Sequence, residues 1–392
     1  MSVRENKTAA PEGPSLWALA LYFLKLGALG FGGPIALAAH MQKELVEERR
    51  WVLKEDYVEG LAFSQLSPGP LAAQLAMYLG WVRGGTLGAT VTGSAFVLPS
   101  FLMVLALAAL YVHYGHLAWI QGLFYGIGAA VIAIIVQSAY KLVRRMLGKD
   151  WFLWLLFAAI AVTTAWTESE NIWLFLLCGA ITILVKAPPR LLLRSVSAAS
   201  LFSAGGVLTG AHGAASVGTV GKLFWFFLKA GAFVFGSGLA IVPFLYGGVV
   251  VQFHWLSERQ FLDAVAVAMI TPGPVVITAA FVGYLVAGPV GATLASLAVF
   301  APPYLIVVLG APWYRRFAQN RKVKAFVQGV TAAAVGAIAG ATFILGRRAL
   351  VDLHTTLIAA AVLALLVIAK KTSEPLLIVA AGIAGLLMWK GH

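Results

Sequence analysis

The stretch EGLAFSQLSPGPLAAQLAMYLGWVRGG, residues 59–85, decides the fold. It is an apolar run cut in the middle by Ser67-Pro68-Gly69-Pro70. Proline lacks the backbone N–H and clashes with the preceding turn, and glycine weakens a helix interior. Two prolines around a glycine therefore interrupt a helix. Proline also suits the first position of a new one, so a half-helix is expected from Pro70. A second copy, DAVAVAMITPGPVVITAAFVGYLVAG, occupies 263–288 and predicts another half-helix from Pro274.

Outward from the breaks, the match continues. At a shift of 204, FLKLGALGFGG (23–33) lies on FLKAGAFVFGS (227–237), Trp51 on Trp255, and Glu59 on Asp263. After one residue of slippage, Gly80 meets Gly283, Gly85 meets Gly288 and Pro99 meets Pro302. Lys, Trp, PGP and Gly stay in register for almost 80 residues, which marks a duplication. Each copy carries an earlier break as well: GFGGP (30–34) in the first and FGSG (235–238) in the second. Half-helices are expected near Pro34 and Gly238.

Composition supplies the solvent. Of 392 residues, 61% are hydrophobic and 11% charged, with a mean hydropathy of +0.90. Ordinary soluble domains carry about 25% charged residues. The apolar residues suffice for roughly a dozen spans of about 20 residues each. A soluble enzyme, a disordered tail and a single-anchor protein are excluded. The continuous apolar runs also argue against an outer-membrane barrel, whose strands alternate. The expected fold is an all-α polytopic membrane protein with about 10–12 membrane segments, some interrupted. The expected organisation is a polar tail (1–14), a first repeat (15–195), a linker (196–221) and a second repeat (222–392).

The net charge is +13, but the basic residues cluster in short loops, as the positive-inside rule describes, so nucleic acid is not an expected partner. The loops at 141–149 (Lys141, Arg144, Arg145, Lys149) and 313–324 (Arg315, Arg316, Arg321, Lys322, Lys324) should both be cytoplasmic. The repeat equivalent of the second is the loop at 113–116, one span away from the first. Equivalent loops then lie on opposite sides, which is the signature of an inverted repeat. The inversion needs an odd number of crossings per half, so one apolar run does not span alone or the 199–220 stretch crosses.

The breaks carry the expected chemistry. Helix starts offer free N–H groups and the positive end of the dipole, a ready anion site. Non-helical backbone at membrane depth is tolerated where it is buried in protein or lines a wet cavity. The site residues expected on this ground are Gly32, Gly33, Ser67, Pro68, Gly69 and Pro70, with Gly236, Ser237, Thr271, Pro272, Gly273 and Pro274 in the second half. Ser64, Gln65, Gln74 and Thr278 are further neutral donors. Lys25, about 15 Å into its run, and its counterpart Lys229 are the expected substrate cations. Snorkelling to the interface is the competing reading for both. Glu59 and Asp263 are candidates for proton coupling, weighed against interfacial acids at helix starts. The lone Cys178 and seven scattered histidines make no metal spacing, and no cofactor is expected.

The pattern of FGGP, then PGP, then a Tyr-Leu-Gly and Gly-Ala stretch ending at FVLPS, repeated in the second half, resembles the chromate ion transporter family in its long, two-domain form. The resemblance is clearest over 23–101 and 227–303. It implies a bacterial inner-membrane, multi-pass protein that exports chromate and confers chromate resistance, with no enzymatic activity. FGSG in place of FGGP departs from strict symmetry. Chromate is a tetrahedral dianion of the same shape and charge as sulfate, so sulfate or another oxyanion is the alternative substrate. A membrane-embedded enzyme would need clustered acids or histidines, which the sequence lacks. The partners expected are the oxyanion and the bilayer, and the sequence leaves a homodimer open.

Overall fold

The computed structural model describes residues 13–31, 33–115, 117–167, 172–187, 217–233, 235–236, 238, 241–314, 320–350, 352–369 and 373–389. They form fourteen α-helices and two strands of two residues each. Four helices, two of them folded or bent, are long and apolar enough to cross a membrane, and five shorter ones are apolar.

Each half begins with a chain that turns back twice. Helix α1 (Leu16–Leu29) is capped by the Ser15 hydroxyl and stops at the glycines. Helix α2 (Pro34–Met41) starts on Pro34 at its first position and runs into a π-helical turn, Gln42–Glu48. The chain returns there, because the Arg49 guanidinium lies 6.0 Å from the centre of the Tyr22 ring. The mixed-charge stretch KELVEERRWVLKEDYVEG (43–60), which reads in sequence as an amphipathic solvated or interfacial helix, is thus this turn plus the start of α3 (Lys54–Leu66). Helix α4 (Leu71–Tyr114) follows the PGP break and folds over at Gly84 and Gly85. Its short arm, 71–83, packs back on α3, where a Cβ on Gly60 would meet the Tyr78 ring at 2.4 Å. Its long arm, 86–114, is the first full crossing. Gly80 and Gly88 let the arms touch, since a Cβ on Gly88 would lie 1.9 Å from the Gly80 carbonyl oxygen.

Helices α5 (Ala118–Leu147), α6 (Trp151–Thr167) and α7 (Ile172–Lys186) complete the first half. The second half repeats the plan with α8 (Val217–Phe233), α9 (Ile241–Tyr246), α10 (Glu258–Ile270) and α11 (Thr278–Gly310). Then come α12 (Arg321–Ala349), α13 (Leu353–Ile368) and α14 (Glu374–Met388). Even irregular features recur. A π-helical turn at Gly247–Gln252 answers the first, and Arg50 and His254, equivalent at a shift of 204, both have positive φ. Helix α11 bends at Ala287 and Gly288 as α4 does at Gly84 and Gly85.

The halves open toward opposite ends. Arg83, at the end of the short arm of α4, donates to the Gly13 and Pro14 carbonyls at the start of α1. Tyr111 lies 25 residues along the long arm, about 38 Å away at 1.5 Å per residue. Its hydroxyl donates to Asp263 at 2.6 Å, in the first half of α10. Helix α10, the second-half equivalent of α3, thus lies beside the far end of the first half's long arm. Reciprocally, Tyr314, past the end of α11, packs on Phe63 of α3 at 5.1 Å. The duplicated halves are therefore inverted. The loop near 148–150 and the start of α12 share one end, joined by Lys186, which bonds both Asp150 and Gln328.

The halves are also exchanged. Helices α6 and α7 pack along α12, while α13 and α14 pack along α5. Small residues allow the close approach, as is common between membrane helices. A Cβ on Gly126 would sit 1.9 Å from the Ala381 carbonyl oxygen.

Candidate substrate site

At each PGP the glycine is required. Gly69 has φ 141° and Gly273 φ 99°, conformations that side chains rarely adopt. A Cβ on Gly273 would also meet the Ser100 hydroxyl at 1.9 Å, and one on Gly69 would meet Pro303 at 2.7 Å. The cut backbones then pair across the halves. Gly69-Pro70 forms a parallel bridge with Phe235-Gly236, and the Gly273 N–H donates to the Gly30 carbonyl at 3.1 Å. Each second break thus joins the first break of the other half. These two-residue strands are the one departure from an all-α fold among the described residues. They exist because interrupted backbone at depth still needs partners.

The expected neutral donors close the breaks from within. The Ser67 hydroxyl donates to the Phe63 carbonyl at 2.7 Å, and the buried Gln74 amide donates to the Pro68 carbonyl at 2.8 Å. Thr271, Ser64 and Thr278 likewise donate to carbonyls of their own turns. Gly32 and Ser237 lie outside the described residues.

One exchanged pair of breaks faces a cavity of about 460 Å³. Gly30, Phe31, Gly33 and Pro34 form one wall, and Thr271, Gly273 and Val275 another. Nothing stands within 4 Å of where a Gly33 Cβ would be, so the backbone is open to the space. The third wall is α5, which contributes Ser138, Lys141 and Arg145, with Gln65 and Glu374 nearby. Lys141 donates to the Gln137 side chain at 2.8 Å.

The depth of these cations follows from symmetry. Helices α5 and α12 align at a shift of 203, with Gly126 on Gly329 and Arg144-Arg145 on Arg347-Arg348. The equivalent residues Ala139 and Thr342 line a common groove, so the two-fold relating the halves passes between them. An axis relating inverted halves lies at the middle of the bundle. Lys141 is then about 3 Å, and Arg145 about 9 Å, from mid-level along α5.

This differs from the sequence expectation, which assigned both residues to a loop. Lysine and arginine are good helix formers, and nothing breaks α5 before Gly148, which ends it with φ 54°. The spacing 138, 141, 145 was a readable signal of one helical face. Of the expected cations, Lys25 is exposed and lines a neighbouring groove with Tyr22, His40 and Glu44. That groove shares Gly30, Phe31 and Ala36 with the cavity. Lys229 is half-buried, 5.9 Å from the Trp225 ring centre. Of the expected carboxylates, Asp263 is 4% exposed and bonded to Tyr111, while Glu59 lies near Tyr314.

The opposite end has a smaller cavity of about 270 Å³. Arg348, the equivalent of Arg145, there donates to Glu258 at 2.6 Å and to the Tyr246 hydroxyl at 2.8 Å. Arg259 donates to the Gln121 carbonyl at 3.1 Å.

The duplication, the inverted halves and the exchanged breaks coincide with a family match over residues 17–183 and 221–386, described as "Chromate transporter". The chain belongs to the chromate transporter family. It is 52% identical over 379 residues to a chromate transport protein of Cupriavidus metallidurans, covering 96% of this chain and 94% of the relative. It is 54% identical over 377 residues to a probable chromate transport protein of Synechococcus elongatus, covering 96% of each. A chromate transport protein of Pseudomonas aeruginosa is 32% identical over 397 residues, covering 97% of this chain and 94% of the relative. No solved structure matches the chain. The protein is a multi-pass membrane transporter of this family, not an enzyme.

Proposed function

We propose that the chain exports chromate from the cytoplasm across the bacterial inner membrane and so confers chromate resistance. The observation that carries this reading is the single cavity in which breaks from opposite halves face Lys141 and Arg145. A dianion stripped of water needs about two compensating charges. Each helix end offers about half a charge. Lys141 and Arg145 supply the rest, partly offset by Glu374. The substrate in turn offsets the cost of holding the Lys141 charge near mid-level. Lys25, in the adjoining groove, is a cation of the approach path, and Lys229 is its counterpart in the second half.

The cavity opens at the end carrying α5's basic terminus and the 148–150 loop, which the positive-inside rule assigns to the cytoplasm. An inside-negative potential drives a dianion outward by about 4.6 kcal/mol per 100 mV, since each charge is worth about 2.3. A uniport then suffices, without coupled protons. The test is chromate uptake by inside-out vesicles under an imposed potential, with sulfate as competitor. Uptake that ignores the potential, or that prefers sulfate over chromate, would overturn the reading.

A further inference from the structure

A groove of about 750 Å³ runs along the outer surface between α5 and α12. It lies on the two-fold axis, so equivalent residues face each other: Ala139 and Thr342, Tyr140 and Phe343, Arg144 and Arg347. The middle is apolar and open to the surroundings, with Tyr140 58% and Phe343 63% exposed. Both arginines are exposed too. Arg144 is five residues from Ala139 and Arg347 five from Thr342, in opposite directions along the bundle. Each guanidinium is thus rooted about 7.5 Å from mid-level, inside the depth of the hydrocarbon.

A charge at that depth needs a counter-ion. Neither arginine makes an ion pair with a described residue. Arg144 donates through Nε to the Tyr140 hydroxyl at 3.1 Å and lies 5.5 Å from the centre of that ring. Its two terminal nitrogens are left in a planar fork suited to a phosphate. We propose that this groove seats one anionic diacyl phospholipid, with its phosphate on Arg144 and an acyl chain along the apolar floor.

Charge complementarity selects the occupant. The floor accepts a hydrocarbon chain, and the cationic end accepts only a negative headgroup. The two ends are not equal. At the Arg144 end stand the Tyr140 hydroxyl and Trp154, whose indole N–H donates to the Gly148 carbonyl at 3.2 Å. The equivalents at the Arg347 end are Phe343 and Leu357, without a hydroxyl or an indole. The Tyr140 hydroxyl orients the Arg144 guanidinium, and Phe343 cannot do the same for Arg347. The phosphate therefore sits at the Arg144 end.

The test uses the full-length protein, delipidated in a neutral detergent. Phosphatidylglycerol and phosphatidylcholine of the same acyl chains are titrated in, with inorganic phosphate as a separate arm. Retention is read by native mass spectrometry and stability by thermal unfolding. One phosphatidylglycerol should remain bound and raise the melting temperature, while phosphatidylcholine and phosphate should not. Arg144→Gln should weaken retention about tenfold, the worth of one or two charge-assisted hydrogen bonds, and Arg347→Gln should not. Gly346→Leu fills the groove without touching Arg144; a Cβ there would meet only Ile132, at 3.8 Å. It should also lose the lipid. Equal retention of both lipids, an effect of phosphate alone, or retention unchanged in Arg144→Gln overturns the proposal. So does a homodimer cross-linked through cysteines at Tyr140 or Phe343, because a second copy would then fill the groove.

Discussion

Arg145 and Arg348 hold equivalent positions in two inverted halves, yet their surroundings differ. Arg145 faces an open cavity together with Lys141. Arg348 is held by Glu258 and Tyr246. The repeat explains how this arises. The equivalents of Glu258 and Tyr246 in the first half are Lys54 and Gln42, and the equivalent of Lys141 in the second is Ile344. One end therefore has an ion pair and the other a cavity with two unlatched cations, the anion site proposed above, although the backbone plan is shared. A symmetric backbone gives a transporter two alternative openings, and unlike side chains decide which of them is closed.

The breaks should matter most, because both openings use them. Replacing Pro68-Gly69-Pro70 or Pro272-Gly273-Pro274 by three alanines should reduce chromate transport by about 100-fold or more while the protein still inserts. The alanines remove the helix stop, worth about 3 kcal/mol at proline, and misalign the site. Transport assayed in vesicles with matched protein amounts checks this. Retained transport in either variant would remove that break from the mechanism.

The end with the proposed anion site comes next. Lys141→Gln and Arg145→Gln should each weaken chromate binding about tenfold, as expected for a lost charge-assisted hydrogen bond. Lys25→Gln should cost only about threefold, since Lys25 lines the adjoining groove and not the cavity itself. Binding to purified variants at fixed ionic strength ranks the three. A larger loss for Lys25→Gln would move the substrate from the cavity into the groove beside α1.

At the latched end the effect should be modest. The Arg348–Glu258 pair is 31% and 43% exposed, so solvent limits its worth to at most about 1 kcal/mol. Glu258→Gln should raise thiol labelling of a cysteine introduced at Gly128, in the cavity that Glu258 and Arg348 also line, by roughly threefold to fivefold. Cys178 is buried and gives little background. Unchanged labelling would mean that the pair does not hold this end shut.

The smallest effect concerns Asp263. Its carboxylate accepts from Tyr111, a bond that an asparagine carbonyl preserves. Asp263→Asn should leave transport within about twofold and insensitive to a pH gradient, as a uniport requires. Loss of a gradient-driven component in this variant would assign the carboxyl to proton coupling instead.

The sequence by itself determined what is local or periodic. Long apolar runs fixed the bilayer as solvent, Pro-Gly-Pro fixed the helix interruptions, and matched Lys, Trp and Gly fixed the duplication. Matched basic clusters pointed to the inversion through the positive-inside rule, although Lys141, Arg144 and Arg145 turn out to lie on α5 and not in a loop. Only the tertiary structure decided which breaks meet. Gly273 joins Gly30 and Gly69 joins Phe235, pairings between residues more than 160 apart that no spacing encodes. Only the tertiary structure brought Lys141 to the breaks. The sequence reading put Lys25 inside an apolar run and Lys141 in a basic loop, and depth along a run does not say which neighbour a helix face will meet. That face is chosen by packing, here by α5 lying against the breaks of both halves.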